Sequence, residues 1–132
     1  MTRHTLVKEY RPETDCGYTF NVSFGDPPIH DRVSIWEHYE YYGGNEYAYR
    51  ATIERPALPQ LAEALADEAG LPPDERPANP ERLVVAALRQ LLESGQLTTR
   101  PLKAGYAKVK AMLDAAGIAY REDPWVWVDF SE

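Results

Sequence analysis

The sequence predicts an α+β domain: a mostly antiparallel sheet of about five strands, with three helices packed on one face. Three observations carry this. The first half of the chain alternates apolar and polar residues with a period of two. The second half repeats leucine and alanine at helical spacing. A strand-like segment closes the chain, and no stretch of it alternates strand with helix as a parallel sheet requires. A length of 132 residues fits one domain spanning 1–132.

Thr5 to Arg11 reads as the first strand. Tyr18 to Phe24 is the clearest, with Tyr18, Phe20, Val22 and Phe24 alternating with Thr19, Asn21 and Ser23. Gly25-Asp26-Pro27-Pro28 stops it, because neither proline can donate to a ladder. Arg32 to Tyr42 and Glu46 to Glu54 form a hairpin around Gly43-Gly44-Asn45, residues that tolerate positive φ. Leu58, Leu61, Ala62, Leu65 and Ala69 mark the first helix, stopped at Gly70-Leu71. Asn79-Pro80-Glu81 starts the second, with a capping side chain, a proline at the first position and an acid in the first turn. Leu83, Val84, Ala87, Leu88 and Leu91 line it, and Gly95 ends it. A third is expected over about Pro101 to Ala116, with a stripe of Leu102, Tyr106, Val109, Met112 and Leu113. Trp125 to Phe130 reads as a final strand with large apolar groups on both faces.

The hairpin carries the candidate site, and two registers give it different chemistry. A two-residue loop, Gly43-Gly44, sets Glu37 opposite Arg50 as a cross-strand ion pair. A three-residue loop, Gly43-Gly44-Asn45, pairs Tyr41 with Tyr47, Tyr39 with Tyr49 and Ile35 with Ile53. It also places Glu37 on that aromatic face, where lost hydration raises its pKa. His38 then faces Arg50, and Trp36 faces Thr52. The second register matches like with like and is favoured. A slip of one residue exchanges the faces.

Composition narrows the function. The net charge of −7 and the lack of a concentrated basic footprint disfavour nucleic acid. Lys103, Lys108 and Lys110, with Asp114 nearby, read as the solvated face of a helix. No segment has the length and apolarity of a membrane span, and Met1 to Pro12 lacks a secretory pattern, so a cytoplasmic location is expected. The lone Cys16 excludes an internal disulfide and reads as a small hydrophobe or a loop residue. His4, His30 and His38 show no short-spaced metal pair, although His30-Asp31 and Glu37-His38 could meet across a loop. Cys16 with His38, or carboxylates drawn from Asp26, Asp31, Glu37 and Glu40, match catalytic pairs in residue type alone. No cofactor, metal or catalytic motif is expected.

The tyrosines at 39, 41, 42, 47 and 49 exceed what one small core needs, and tyrosine and tryptophan dominate protein interfaces. The expected binding residues are Trp36, Glu37, His38, Tyr39, Glu40, Tyr41, Tyr47 and Tyr49, followed by Trp125 and Trp127. Short length, acidity, the aromatic strands of Arg32 to Ile53 and the ending Trp125-Val126-Trp127-Val128-Asp129 together give a chain that resembles the small cytosolic immunity proteins that neutralise bacterial toxins. The resemblance is one of type and transfers no residue by position. It implies a non-catalytic module that binds a toxin domain and covers its active site, the partner being a basic protein. Two alternatives stand beside it. One is a small enzyme or ligand-binding domain, with Glu37, His38 and Arg50 in a pocket between sheet and helices. The other is a homodimer joined through the Trp125 to Phe130 edge.

Overall fold

The computed structural model describes residues 2–25, 31–123 and 125–128, the last four through their backbone alone. Four long strands form an antiparallel meander in chain order: β1 (Thr2–Arg11), β2 (Cys16–Phe24), β3 (Arg32–Tyr41) and β4 (Asn45–Glu54). Helices α1 (Leu58–Ala69), α2 (Pro80–Ser94) and α3 (Ala104–Ala115) follow. Two short strands, β5 (Arg121–Glu122) and β6 (Trp125–Val128), then run antiparallel along the outer side of β4. The expected final strand corresponds to β6, preceded on the same edge by the short β5, and its expected end, Phe130, lies outside the described residues. The fold is α+β.

Alternation in β2 sorts the sheet into two faces. Tyr18, Phe20, Val22 and Phe24 are buried beneath the helices, and their cross-strand partners Tyr39, Glu37, Ile35 and Val33 point the same way. Rows of side chains follow from this. Val7, Phe20, Glu37 and Tyr49 form one, and Glu9, Tyr18, Tyr39 and Tyr47 the next. Each fully buried apolar side chain here contributes on the order of 2 kcal/mol.

The hairpin takes neither expected register. Tyr39 pairs with Tyr47, Glu37 with Tyr49, Trp36 with Arg50 and Ile35 with Ala51, so the loop is Tyr42-Gly43-Gly44. Gly44 makes the turn at φ 130°, and its N–H donates to the Tyr41 carbonyl at 2.9 Å. Both Glu37–Arg50 pairing and the Tyr39–Tyr49 match are thus corrected. The shift from the favoured register is two residues, an even number, so every side chain keeps its expected face. Three residues do bridge the strands, but the loop begins one residue early, and Asn45 pairs instead of turning.

The helices start and stop where local chemistry allows. Asn79 accepts hydrogen bonds from the N–H groups of Glu81 and Arg82, with Pro80 at the first position of α2. Gly70 and Gly95 close α1 and α2 in the left-handed conformation. Helix α3 begins later than expected, at Ala104. Lys103 sits at φ 68° and breaks the helical run, which leaves Leu102 exposed instead of in the apolar stripe. Tyr106, Val109, Met112 and Leu113 hold the buried positions foreseen for them.

Candidate functional site

On the covered face, the meander drives a carboxyl group into the core. Glu37 occupies an inward position between Phe20 and Tyr49 and is wholly buried. The Tyr39 hydroxyl donates to its Oε2 at 2.7 Å and accepts from the Lys103 backbone N–H at 2.9 Å, which ties the sheet to the start of α3. The Tyr18 hydroxyl and the backbone N–H groups of Gly105 and Tyr106 face the carboxyl and favour its charged form. Its Oε1, like the Tyr18 hydroxyl, has no hydrogen bond of good geometry. Lost hydration prevails and holds the Glu37 pKa above its ordinary value of 4.5. Burial likewise pushes the Tyr18 and Tyr39 hydroxyls upward. The contact with α3 requires a glycine, because a Cβ at position 105 would overlap Glu37 Oε1 and reach within 3.0 Å of Phe20.

Aromatic rings continue along this face. Tyr39 lies 5.1 Å from Tyr18 and 6.0 Å from Tyr49 between ring centres, and Tyr41 lies 5.8 Å from Tyr47. The almost fully buried Arg11 guanidinium lies 4.1 Å from the Tyr18 ring centre, pairs with Glu9 at 2.9 Å and donates to the Thr99 carbonyl at 3.1 Å. Lys103 Nζ sits 4.4 Å from the Tyr49 ring centre. Tyr41, Tyr47 and Tyr49 are half-buried and packed against the core. Most of the expected tyrosine surface therefore builds the interior, Tyr39 completely so.

The opposite face of the sheet carries no helix among the described residues. Its central rows are Thr5, Asn21, Trp36 and Arg50, then Lys8, Thr19, His38 and Ala48, then Tyr10, Gly17, Glu40 and Glu46. Trp36, His38 and Glu40 are half-buried here, and they line a hollow of about 550 Å³ with Thr19 and Asn21. Side-chain bonds hold its floor: Thr5 donates to Asn21 at 2.8 Å, and Asn21 to Thr19 at 2.9 Å. Beside it lies a second hollow, of about 430 Å³, whose walls include His38, Glu40, Tyr10 and Tyr42.

Tyr10 and Tyr42 are the most exposed tyrosines described on the sheet, 55% and 58% accessible, with ring centres 6.1 Å apart. Gly17 makes room for them, since a Cβ there would lie 2.8 Å from the Tyr42 hydroxyl. Neither was among the expected binding residues. Tyr42 belonged to the tyrosine cluster but sits in the turn, and Tyr10 joins it only through the pairing of β1 with β2.

The candidate residues thus divide. Trp36, His38 and Glu40 share the open face, whereas Glu37, Tyr39, Tyr41, Tyr47 and Tyr49 share the covered one. Trp125 and Trp127 take register positions opposite Ala48 and Glu46 on the outer edge of β4, their side chains lying outside the described residues. Cys16 points into the core and His38 away from it, so the two form no nucleophilic pair. Burial raises the Cys16 thiol pKa. His38 Nε2 instead lies 3.8 Å from Glu46 Oε1. Lys108 and Lys110 pair with Glu68 and Glu122. Among the described residues no three of His, Cys, Asp or Glu converge as metal ligands, and no helix is long and apolar enough to cross a membrane. His30 and Asp26 fall outside the described residues. Comparison with protein-family models, curated proteins and solved structures finds no match to this chain.

Proposed function

We propose that this chain is a non-catalytic protein-binding module of the immunity type, acting in the cytoplasm on a basic toxin domain through the open face of its sheet. The observation that carries this reading is the placement of Trp36 and the exposed Tyr10–Tyr42 pair around two adjoining hollows on a face that no described helix covers. Rigid aromatic side chains among polar groups already fixed by hydrogen bonds suit an interface anchor, because little freedom remains to be lost on binding. Glu40 and Glu46, opposite one another on this face, and the net charge of −7 favour a basic partner and speed its approach. A catalytic pocket between sheet and helices has less support. Glu37, the group best suited to acid–base chemistry, is sealed beneath α3, and no described hollow is lined by it.

The test takes a toxin domain sought among the genes that flank this chain's own, and finding none there would count against the reading. Isothermal titration should give a tight complex, weakened at least about tenfold by Trp36→Ala and by Tyr42→Ala. Co-expression should restore growth to cells producing that toxin. Equal affinity of the wild type and both variants would place the interface elsewhere, and growth arrest despite co-expression would exclude an immunity role.

A further inference from the structure

The edge of the sheet farthest from β5 and β6 has its own geometry. Strand β1 pairs with β2 alone, and among the described residues no backbone group from Thr2 to Tyr10 bonds to any other segment. Helix α2 runs alongside it. The early turns of α2 face Thr2 and His4 across a hollow of about 450 Å³, and its last turn faces Val7 and Glu9 across another of about 520 Å³. Besides its buried stripe, α2 carries a second one at helical spacing: Arg82, Val85, Ala86 and Arg89. Val85 and Ala86 are half-buried, whereas Arg82 and Arg89 are exposed.

The groove carries cations although the protein as a whole is acidic. The carboxylate of the first hollow, Glu81, is held by Arg55 at 2.8 Å, and that of the second, Glu9, by Arg11 at 2.9 Å. Among the described residues neither Arg82 nor Arg89 forms an ion pair. Among the described residues the groove therefore presents two cations without an ion pair over an apolar floor, next to a row of backbone groups without a partner. A second copy of this chain fits poorly, since joining two β1 edges would bring Arg3, Lys8, Arg82 and Arg89 of each close to the same groups of the other. The shift in register between Thr5 and Val7 divides the strand into two regular stretches, and Thr2–Thr5 is the one beside Val85 and Ala86.

The geometry points to a peptide-binding groove: an extended acidic segment of a partner protein adds a strand to β1 at Thr2–Thr5, with an apolar side chain on Val85 and Ala86 and a carboxylate on Arg82 and Arg89. Main-chain bonds supply affinity in this mode of recognition, and the pocket between strand and helix supplies selectivity. The groove lies outside the open face that carries Trp36, so it stands or falls separately from the immunity reading.

The test takes the full chain with two fluorescent peptides, one alternating valine with glutamate and one alternating valine with lysine. Anisotropy should show binding of the glutamate peptide alone, weakening with added salt. Arg82→Glu/Arg89→Glu should reduce its affinity at least about tenfold, with unchanged thermal unfolding, and Trp36→Ala should leave it intact. Methylating alternate backbone nitrogens of the peptide should abolish binding in one phase and spare it in the other, because only one edge of a strand faces β1. The amides of Thr2–Thr5 should gain protection from hydrogen exchange. Equal affinity for the two peptides, indifference to the double charge reversal, or tolerance of methylation in both phases would overturn the proposal. Doubling of mass in light scattering that Arg82→Glu/Arg89→Glu changes and added peptide leaves intact would assign the edge to a second copy instead.

Discussion

The two faces of the sheet are made from the same strands, in places from adjacent residues, yet they do different work. On one, Tyr39 and Glu37 are locked beneath α3 by a hydroxyl that bonds a carboxyl and a backbone N–H at once. On the other, one position along the chain, Trp36 and His38 border open hollows with no helix above them among the described residues. Residue type alone does not distinguish these roles, since both faces hold aromatics beside carboxylates. Position relative to α3 does: the covered aromatics pack into the core, and the open ones have no described helix above them.

The sharpest way to break that contrast is Gly105→Val. Its side chain would displace the buried carboxyl of Glu37 and the ring of Phe20, so a loss of about 3 kcal/mol or more in urea unfolding is expected. A smaller loss would mean that α3 sits loosely on the sheet. Tyr39→Phe removes both bonds of one hydroxyl inside the core and should cost about 2 kcal/mol, read by the same titration.

Glu37→Gln tests the carboxyl itself. With its folded pKa raised above 4.5, the native state holds the proton more tightly than the unfolded chain does. Stability attributable to Glu37 is thus greatest below about pH 4.5 and declines as pH rises, until the folded pKa is passed. The unfolding free energy of the glutamine variant relative to wild type, from urea titrations across pH, should therefore increase from acid to neutral pH, by at most about 1.4 kcal/mol per pH unit. A constant difference would show that this carboxyl is hydrated. The smallest effect on stability belongs to Tyr42→Ala, within about 0.5 kcal/mol, despite its expected effect on binding. Destabilisation comparable to that of Tyr39→Phe would make Tyr42 a structural residue.

Much of the covered face was legible from the chain. The alternation in Tyr18–Phe24 gave the buried row, and Asn79-Pro80, Gly70 and Gly95 marked the helix ends, because these signals act through bonds within a few residues. Glu37 could be assigned to the aromatic face with a raised pKa, since parity survives a register error of two. The pairing itself was not legible. Gly43, Gly44 and Asn45 all tolerate a turn, so local chemistry leaves the register open, and the closeness of Tyr42 to Gly17 joins segments distant in sequence. The late start of α3 is of the same kind: nothing local to Lys103 announces its left-handed backbone, whereas the Tyr39 hydroxyl that meets its N–H comes from 64 residues away. The open face was half seen. Trp36, His38 and Glu40 came from one strand, but Tyr10 required knowing which strand lies beside β2.

The link between Tyr39 and Lys103 also bears on how the molecule assembles and breathes. Strands β1 to β4 join nearest neighbours through short loops and can zip together early, at small entropic cost. The carboxyl of Glu37 stays hydrated until α3 arrives from far along the chain, so drying that group belongs to the last stage of folding. Partial opening should run in reverse, with α3 lifting as a unit while the meander persists, and amides from Ala104 to Ala115 exchanging ahead of those in β2 and β3.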